Sequence, residues 1–397
     1  MKRTTIFFAL FSAFCVRGAE PSATNVAQLV RERVDPGVRD AALAARRAEV
    51  ESQVAARPGF EVRPGVTDSH VGAALRVYVP DFRGRRALRE RLALAARSEQ
   101  LRVAEMEWRQ VYAICRDLCD LRGAQRKETL YRKELDALEP VLESAADAVG
   151  RNELSLEDRA RFGAQYLKLL GEADRQANAR IALRARLAAR LGPGVDFDAL
   201  SESVRFEMPS TNAVEELLRL AMAERPDACR LETEALGLEA AANAEARRNG
   251  FRLKYLQPSY FVDYTGDDDP KWGLSASFVL PWGQRDEAGI YRSRQSLALA
   301  RRDALRNEIR RRIGALLKAA AEFDRQAKEA EAARRPVVEV LKRDAERMGD
   351  LPLSERRILL SIRERLLDVD LRAVETDRQR QRFAIDLAEE IGSAAAP

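Results

Sequence analysis

The feature that most constrains this chain is an internal duplication with a period of about 200 residues. The strand-like run from Val71 to Pro80 is similar to the run from Trp272 to Pro281, since both alternate, both have Gly as the second residue and both end in Pro. The turn from Gly150 to Ser155 matches the turn from Gly349 to Ser354 in its Gly to Leu-Ser spacing. Because two separate landmarks recur at nearly the same offset, the chain is predicted to be a tandem repeat.

Each copy of the repeat predicts the same order of elements: a helix, a strand hairpin, a long helix and a return helix. The charged fraction of 33% and the aromatic fraction of 6% are typical of long helices with solvated charged faces. In the first copy, assigned to 20–205, the predicted elements are 38–56, 58–80, 85–149 and 155–191. In the second copy, assigned to 206–397, they are 212–249, 253–281, a long helix to Met348, and 354–391. The predicted fold class is therefore mainly α, with an internal two-fold repeat.

The long helices carry apolar residues at alternating spacings of three and four. One seam is Leu101, Ala104, Trp108, Val111, Cys115 and Leu118, and the other is Ile309, Ile313, Leu316, Ala320, Phe323, Ala327 and Ala330. This spacing predicts coiled-coil packing in long antiparallel α-helical hairpins. It does not discriminate between proteins, because any periplasmic or cytoskeletal coiled coil has such seams.

The two short β-hairpins are more informative than the helices. In 71–79 and 272–280, apolar residues alternate with smaller or polar ones over about nine positions, the length that a tilted strand needs to cross an outer membrane. The expected barrel-strand residues are Val71, Leu75, Val79, Trp272, Leu274 and Phe278. Pro64 and Gly65 are expected to interrupt the first strand. The alternative to membrane strands is a small soluble β-platform that caps the helices.

The four predicted strands are too few for one chain to form a membrane barrel. Four strands cannot close on themselves, and open strand edges are not tolerated in hydrocarbon. Several copies are therefore expected to pool their strands into one oligomeric outer-membrane β-barrel. At least two chains are required, and three would leave a wider lumen.

The N-terminus is typical of a signal peptide, assigned to residues 1–19. Two basic residues precede a short apolar stretch, and small residues follow at a plausible cleavage point. A lipoprotein is the alternative, with Cys15 as the lipidated residue, but the bulky Phe14 precedes it where a small residue is needed. No later segment reaches 18 consecutive apolar residues, so no membrane-spanning helix is predicted. The protein is expected to leave the cytoplasm.

Residues for catalysis or for metal binding are scarce. Cys115 and Cys119 lie four apart and could form a metal pair, but Cys115 falls in the apolar seam and His70 is the only histidine. No Gly-rich phosphate loop or nucleophile elbow occurs. Acidic and basic residues are interleaved, which argues against a nucleic-acid surface. We therefore expect no enzyme, no catalytic residue, no cofactor, no metal and no nucleic-acid partner.

Several longer patterns lie in order along nearly the whole mature chain. They are Asp35 to Arg39 before the first helix, Glu215 to Asp227 before an Ala-rich helix, Gly273 to Gly283 running into Arg292 to Ala300, and the two Gly-x-x-x-Leu-Ser turns. Each pattern is loose by itself, but the ordered set resembles the TolC-like outer-membrane efflux protein family. One departure is that the turns lack the basic–aromatic pair commonly found before the Gly, which leaves the identity of a docking partner open.

The resemblance implies a homotrimer that forms a tunnel across periplasm and outer membrane, working with an inner-membrane pump and a periplasmic adaptor protein. It implies adaptor docking at the hairpin tips, at Val149, Gly150, Leu154, Ser155, Met348, Gly349, Leu353 and Ser354. Asp350 could form an acidic ring at the tunnel mouth of a trimer. Plain helix turns and a solvated turn aspartate are the alternatives.

The sequence as a whole thus predicts an outer-membrane channel subunit of a tripartite efflux or secretion system. Such a subunit is a passive conduit that contacts outer-membrane lipid and extends into the periplasm. The alternative is a periplasmic coiled-coil structural or interaction protein that does not insert in the outer membrane. The transported solute stays open between drugs, metal cations and secreted polypeptide, although a single histidine argues weakly against a metal-binding lumen.

Overall fold

The computed structural model describes residue 26 and ten segments of the chain. The segments are 60–66, 70–78, 82–151, 154–192, 194–209, 213–248, 252–263, 271–279, 287–347 and 356–392. The predicted signal peptide, the predicted helix at 38–56 and the predicted second tip at 348–354 lie outside the described residues.

Long helices and short strands make up the described part of the chain. The strands are β1 (Phe60–Val66), β2 (His70–Tyr78), β3 (Arg252–Asp263) and β4 (Lys271–Val279). The helices are α1 (Phe82–Gly150), α2 (Leu156–Leu191), α3 (Phe197–Ser203), α4 (Val214–Glu224), α5 (Pro226–Arg248), α6 (Glu287–Arg347) and α7 (Arg356–Ile391). The prediction of a mainly α chain with two short β-hairpins is confirmed. The same order, hairpin then long helix then return helix, occurs twice.

Two details of the helix prediction are wrong. The predicted helix 212–249 is split into α4 and α5 at Arg225, because Pro226 has no N–H and instead occupies the first position of a new helix. The short helix α3 was not predicted. It starts where the carboxylate of Asp196 accepts hydrogen bonds from the backbone N–H groups of Asp198 and Ala199, each at 3.1 Å.

The four strands form one antiparallel sheet in the order β1-β2-β3-β4, so the two hairpins pair through β2 and β3. β1 runs through Pro64 and Gly65 without a break, with Pro64 opposite Ala73. Proline is tolerated there because β1 lies at the sheet edge, where one side of the strand needs no ladder partner within the chain. Among the described helices, none combines the length and the apolar character needed to span a membrane.

The chain forms two compact units, and each draws on both halves of the sequence. One unit contains the sheet and comprises 35–106 and 226–307. The other is helical and comprises 1–34, 107–225 and 308–397. The repeat boundaries at 20–205 and 206–397 therefore describe a duplication of sequence and remain a prediction.

The core of the helical unit forms around the predicted seams. Its largest fully buried side chains include Tyr112, Leu118, Leu121, Ile313 and Leu387. Burial of an aliphatic side chain of this size contributes roughly 1.5–3 kcal/mol to stability. In the first seam Val111 and Cys115 are also buried, and in the second Ile309 and Ala320 are buried. The apolar seams therefore lie where the spacing predicted.

Ion pairs within the helical unit give the direction in which α7 packs on α1. Arg116 on α1 pairs with Asp386, Asp120 with Arg378, and Glu134 with Arg363. Residue numbers rise along α1 while those of the partners fall along α7, so the two helices are antiparallel. The pairs are partly exposed, and we expect them to set register more than to add stability.

One carboxylate in this contact is held strongly in its charged form. Burial by itself would raise the pKa of Glu375, but hydrogen bonds from Arg378, Lys127 and Gln379 outweigh it and lower the pKa to about 2. The stabilisation from this charge is complete above the carboxylate's ordinary pKa and is lost as the pH falls toward 2.

Candidate functional site

The sheet has one face that is almost entirely apolar and exposed. Its side chains include Val62, Leu75, Leu256, Tyr260, Val262, Trp272, Leu274 and Phe278. Trp272 is 77% exposed and Leu274 is 75% exposed. The register brings these residues side by side, with Val62 opposite Leu75 and Tyr260 opposite Trp272. We call this set the apolar face.

The opposite face of the sheet is polar. Arg76 on β2 donates from Nε to Oε1 of Gln257 on β3 at 2.9 Å, and its guanidinium carbon lies 4.1 Å from the ring centroid of Tyr255. Ser259 donates from Oγ to the carbonyl oxygen of Gly273 at 3.3 Å. Because strand side chains alternate between faces, this polar face follows directly from the apolar alternation of the same strands. We call it the polar face.

The predicted barrel-strand residues can be compared with these faces. Leu75, Trp272, Leu274 and Phe278 all lie exposed on the apolar face. Val71 lies in β2 opposite Val66 and Val262 in backbone register. Val79 lies outside the described residues. What sequence reasoning missed is the cluster of Arg76, Gln257 and Tyr255, which only the pairing of β2 with β3 brings together.

Aromatic side chains cluster at the loop end of the second hairpin. The rings of Tyr260 and Trp272 are 4.6 Å apart between centroids. Both lie next to the Phe261–Lys271 register pair, the last before the connection between β3 and β4. Amphipathic rings at a strand end are typical of the level where lipid meets water.

The first predicted tip lies between α1 and α2. Val149 and Gly150 are the last residues of α1, and Leu154 is buried at 8% exposure. Ser155 caps α2, since its Oγ accepts from the backbone N–H of Asp158 at 3.0 Å. Apart from its chain neighbours and the backbone of its own helix, no atom of the described residues would lie within 4 Å of a Cβ on Gly150. The predicted second-tip residues Met348, Gly349, Asp350, Leu353 and Ser354 lie outside the described residues.

The cysteines of the helical unit are free and buried. Burial raises the pKa of Cys115 to about 12 and that of Cys119 to about 11, so both thiols stay protonated at neutral pH. Within the described residues, no group of three or more His, Cys, Asp or Glu side chains could hold a metal ion. Both side chains lie in the buried core of the helical unit and contribute to its packing.

The fold was compared with families, curated proteins and solved structures. No protein-family model matches the sequence, and no curated protein does. Among solved structures, the chain is similar to CusC, for which transmembrane channel formation is described, at 11% identity and a TM-score of 0.69, covering 95% of each chain.

Two further solved structures give the same result. The open outer-membrane channel MtrE of Neisseria gonorrhoeae is 15% identical, with a TM-score of 0.66 over 94% of this chain and 89% of that one. The outer-membrane protein VceC of Vibrio cholerae is 11% identical, with a TM-score of 0.65 over 93% of this chain and 96% of that one. The chain therefore has the fold of the TolC-like outer-membrane channels, as the ordered patterns indicated.

Proposed function

We propose that the chain is a subunit of an outer-membrane channel, a passive conduit that crosses the outer membrane and extends into the periplasm. The observation that carries this proposal is the sheet with one exposed apolar face and one polar face. A membrane strand directs apolar side chains to hydrocarbon and polar ones to an aqueous lumen. The polar face would then line the pore.

Exposure of the apolar face is costly in water. Moving a side chain such as Leu274 out of water is favourable by about 1.5–3 kcal/mol. At least eight large side chains share this face. Apolar patches of this kind mark sites that contact another molecule or a membrane. Lipid is the favoured partner, because the aromatic pair of Tyr260 and Trp272 at the strand ends suits an interface.

The sheet edges support assembly with further copies. In the part of the chain that is described, β1 and β4 each pair with a single neighbour, so each leaves one edge open. Open edges are not tolerated in hydrocarbon, and copies that join β1 to β4 would remove them. We infer a homotrimer, in keeping with the family resemblance, with the pore formed by the assembly.

The remaining partners follow from the same resemblance. We infer a tripartite system, in which a periplasmic adaptor contacts the tips at 149–155 and 348–354 and an inner-membrane pump supplies the solute. The open surface at Gly150 supports docking, since no side chain in the described part of the chain would contact a Cβ at this position. Export would depend on the N-terminal signal peptide.

Fractionation and conductance test the channel itself. The full chain, expressed with its own leader, is expected in the outer-membrane fraction as an oligomer, and the purified oligomer is expected to conduct ions in planar lipid bilayers. A monomer in the periplasmic fraction would contradict the proposal and favour the alternative, a coiled-coil protein that does not insert.

Adjacent residues on opposite faces give a sharper test. Leu274→Arg places a charge on the apolar face, which costs about 2–4 kcal/mol near the middle of a bilayer and should strongly reduce the oligomer in the outer membrane. Ser275→Arg places the same charge on the polar face and should assemble at the wild-type level. Immunoblots of membrane fractions measure both. Equal tolerance of the two substitutions would mean that the apolar face does not meet lipid.

A tip substitution tests adaptor docking. Gly150→Lys should weaken adaptor binding at least about tenfold, or about 1.4 kcal/mol, because it puts a long charged side chain on the docking surface. The fold should be unaffected, since the position is open. The matched control is Gly171→Lys on α2, which is equally open. Binding is measured by titration with the adaptor, and normal affinity of the Gly150 variant would exclude this tip.

A further inference from the structure

We propose that Arg76 determines ion selectivity, as a fixed cation on the pore side of the sheet that biases the channel toward anionic solutes. The inference rests on the proposed function, because it takes the polar face as the pore lining. It names a chemical class of solute, which the channel role by itself leaves open.

Contacts on the neighbouring strand hold the Arg76 side chain in place. Its Nε donates to Gln257 Oε1 at 2.9 Å, and its guanidinium lies over the Tyr255 ring, 4.1 Å from the centroid. Both contacts are with residues of β3, and they fix the side chain across the β2–β3 pair. The guanidinium is a cation held in one place, and its positive charge is therefore confined to one height of the sheet.

Other cations share the polar face. Arg63 lies opposite Ala74 and Lys271 lies opposite Phe261, and both follow the alternation that places Arg76 on this side. Glu61 occupies the position opposite Arg76 in the backbone register of β1. Asp263, opposite His70, is a second acid at a polar-face position. Removing the charge of Arg76 lowers the local positive potential whether or not these two acids contribute, so the direction of the expected shift does not depend on them.

The expected change in ion selectivity follows from the geometry of a barrel built from the strands of three chains. A barrel of about twelve strands has a backbone radius of about 12 Å, from the strand spacing and tilt. Salt screens charges over about 30 Å at 0.01 M but over about 3 Å at 1 M. Three arginines at this radius should therefore change the occupancy of a monovalent ion on the pore axis about threefold at low salt and hardly at all at high salt.

The experiment measures reversal potentials in KCl gradients with the full chain in planar bilayers. At about 0.01 M salt, Arg76→Gln should shift the chloride-to-potassium permeability ratio about threefold or more toward potassium, and the shift should vanish near 1 M. Arg76→Lys keeps the charge and should keep the wild-type ratio.

The outcomes separate the inference from the proposed function. Wild-type protein that forms no channel would contradict the proposed function. Channels in which Arg76→Gln has the wild-type ratio at low salt would overturn the selectivity role alone. Should that variant fail to assemble, Gln257→Glu places a carboxylate against the guanidinium and should shift the ratio in the same direction. A Gln257→Glu channel with an unchanged ratio would equally overturn the inference.

Discussion

Gly72→Ala is expected to separate the two hairpins, although it adds a single methyl group. A Cβ on Gly72 would lie 2.1 Å from the carbonyl oxygen of Tyr260 and 2.9 Å from the Cα of Phe261. Both are backbone atoms of the paired strand β3, so the methyl group can be accommodated only if β2 and β3 move apart. We expect the free energy of unfolding to fall by about 3 kcal/mol, which is at the upper end for overpacked substitutions. Most of the assembled oligomer should be lost.

The duplication supplies a matched control. Gly273 is the repeat counterpart of Gly72, but its Cβ would meet only the side chain of Ser259, with Oγ at 2.6 Å and Cβ at 4.0 Å. A hydroxyl can rotate away, so Gly273→Ala should be mild, and adding Ser259→Gly should restore it fully. Ser259→Gly should not rescue Gly72→Ala. Trypsin cleavage after Arg76 and Lys254 in detergent measures strand separation, and resistance of the Gly72→Ala variant would refute the expectation.

Arg225→Met is expected to destabilise the helical unit by about 3 kcal/mol. Arg225 is 5% exposed and pairs through Nη1 with the Glu390 carboxylate, and it also donates to the Glu390 carbonyl oxygen at 3.2 Å. Its guanidinium lies 5.0 Å from the ring centroid of Trp108. Methionine fills much of the volume but leaves Glu390 without its buried partner. Arg312 still contacts that carboxylate at 3.1 Å, so the loss should lie at the low end of the range for broken buried pairs.

Two further variants separate the lost charge pair from lost packing. Glu390→Gln in the Arg225→Met background removes the carboxylate that has lost its buried partner and should recover part of the stability. On α6, Arg325 forms solvent-exposed ion pairs with Glu322 and Glu329. Arg325→Met breaks both pairs, and no measurable change in stability is expected. Thermal loss of helicity, followed by circular dichroism, measures all three. A double variant that is no more stable than Arg225→Met would assign the effect to packing.

Periodicity explains why the long helices and the strand faces could be predicted. The seam around Cys115 repeats at the helical period, and Trp272, Leu274 and Phe278 repeat at the strand period, so local order determines which side is apolar. The cap at Ser155 is likewise local, with Asp158 three residues later. Such features need no knowledge of the rest of the chain.

The errors and omissions have two physical causes. The break between α4 and α5 had a local signal in Pro226, but the Ala-rich sequence on both sides favours helix and hid it. The Arg76 cluster had no such signal, because Gln257 is 181 residues away in sequence. The same holds for Arg225 and Glu390, separated by 165 residues. A single sequence does not record which distant partners meet.

Pro64 affects which strand edges can pair between copies of the chain. Because proline lacks an N–H, the β1 edge offers an incomplete row of donors, whereas β4 contains no proline. Two copies that met through matching edges would form a two-fold pair that cannot grow into a ring, while β1-to-β4 joining is head-to-tail and can close. The gap in the β1 donors weakens β1-to-β1 pairing, and so this residue would give assembly a polarity.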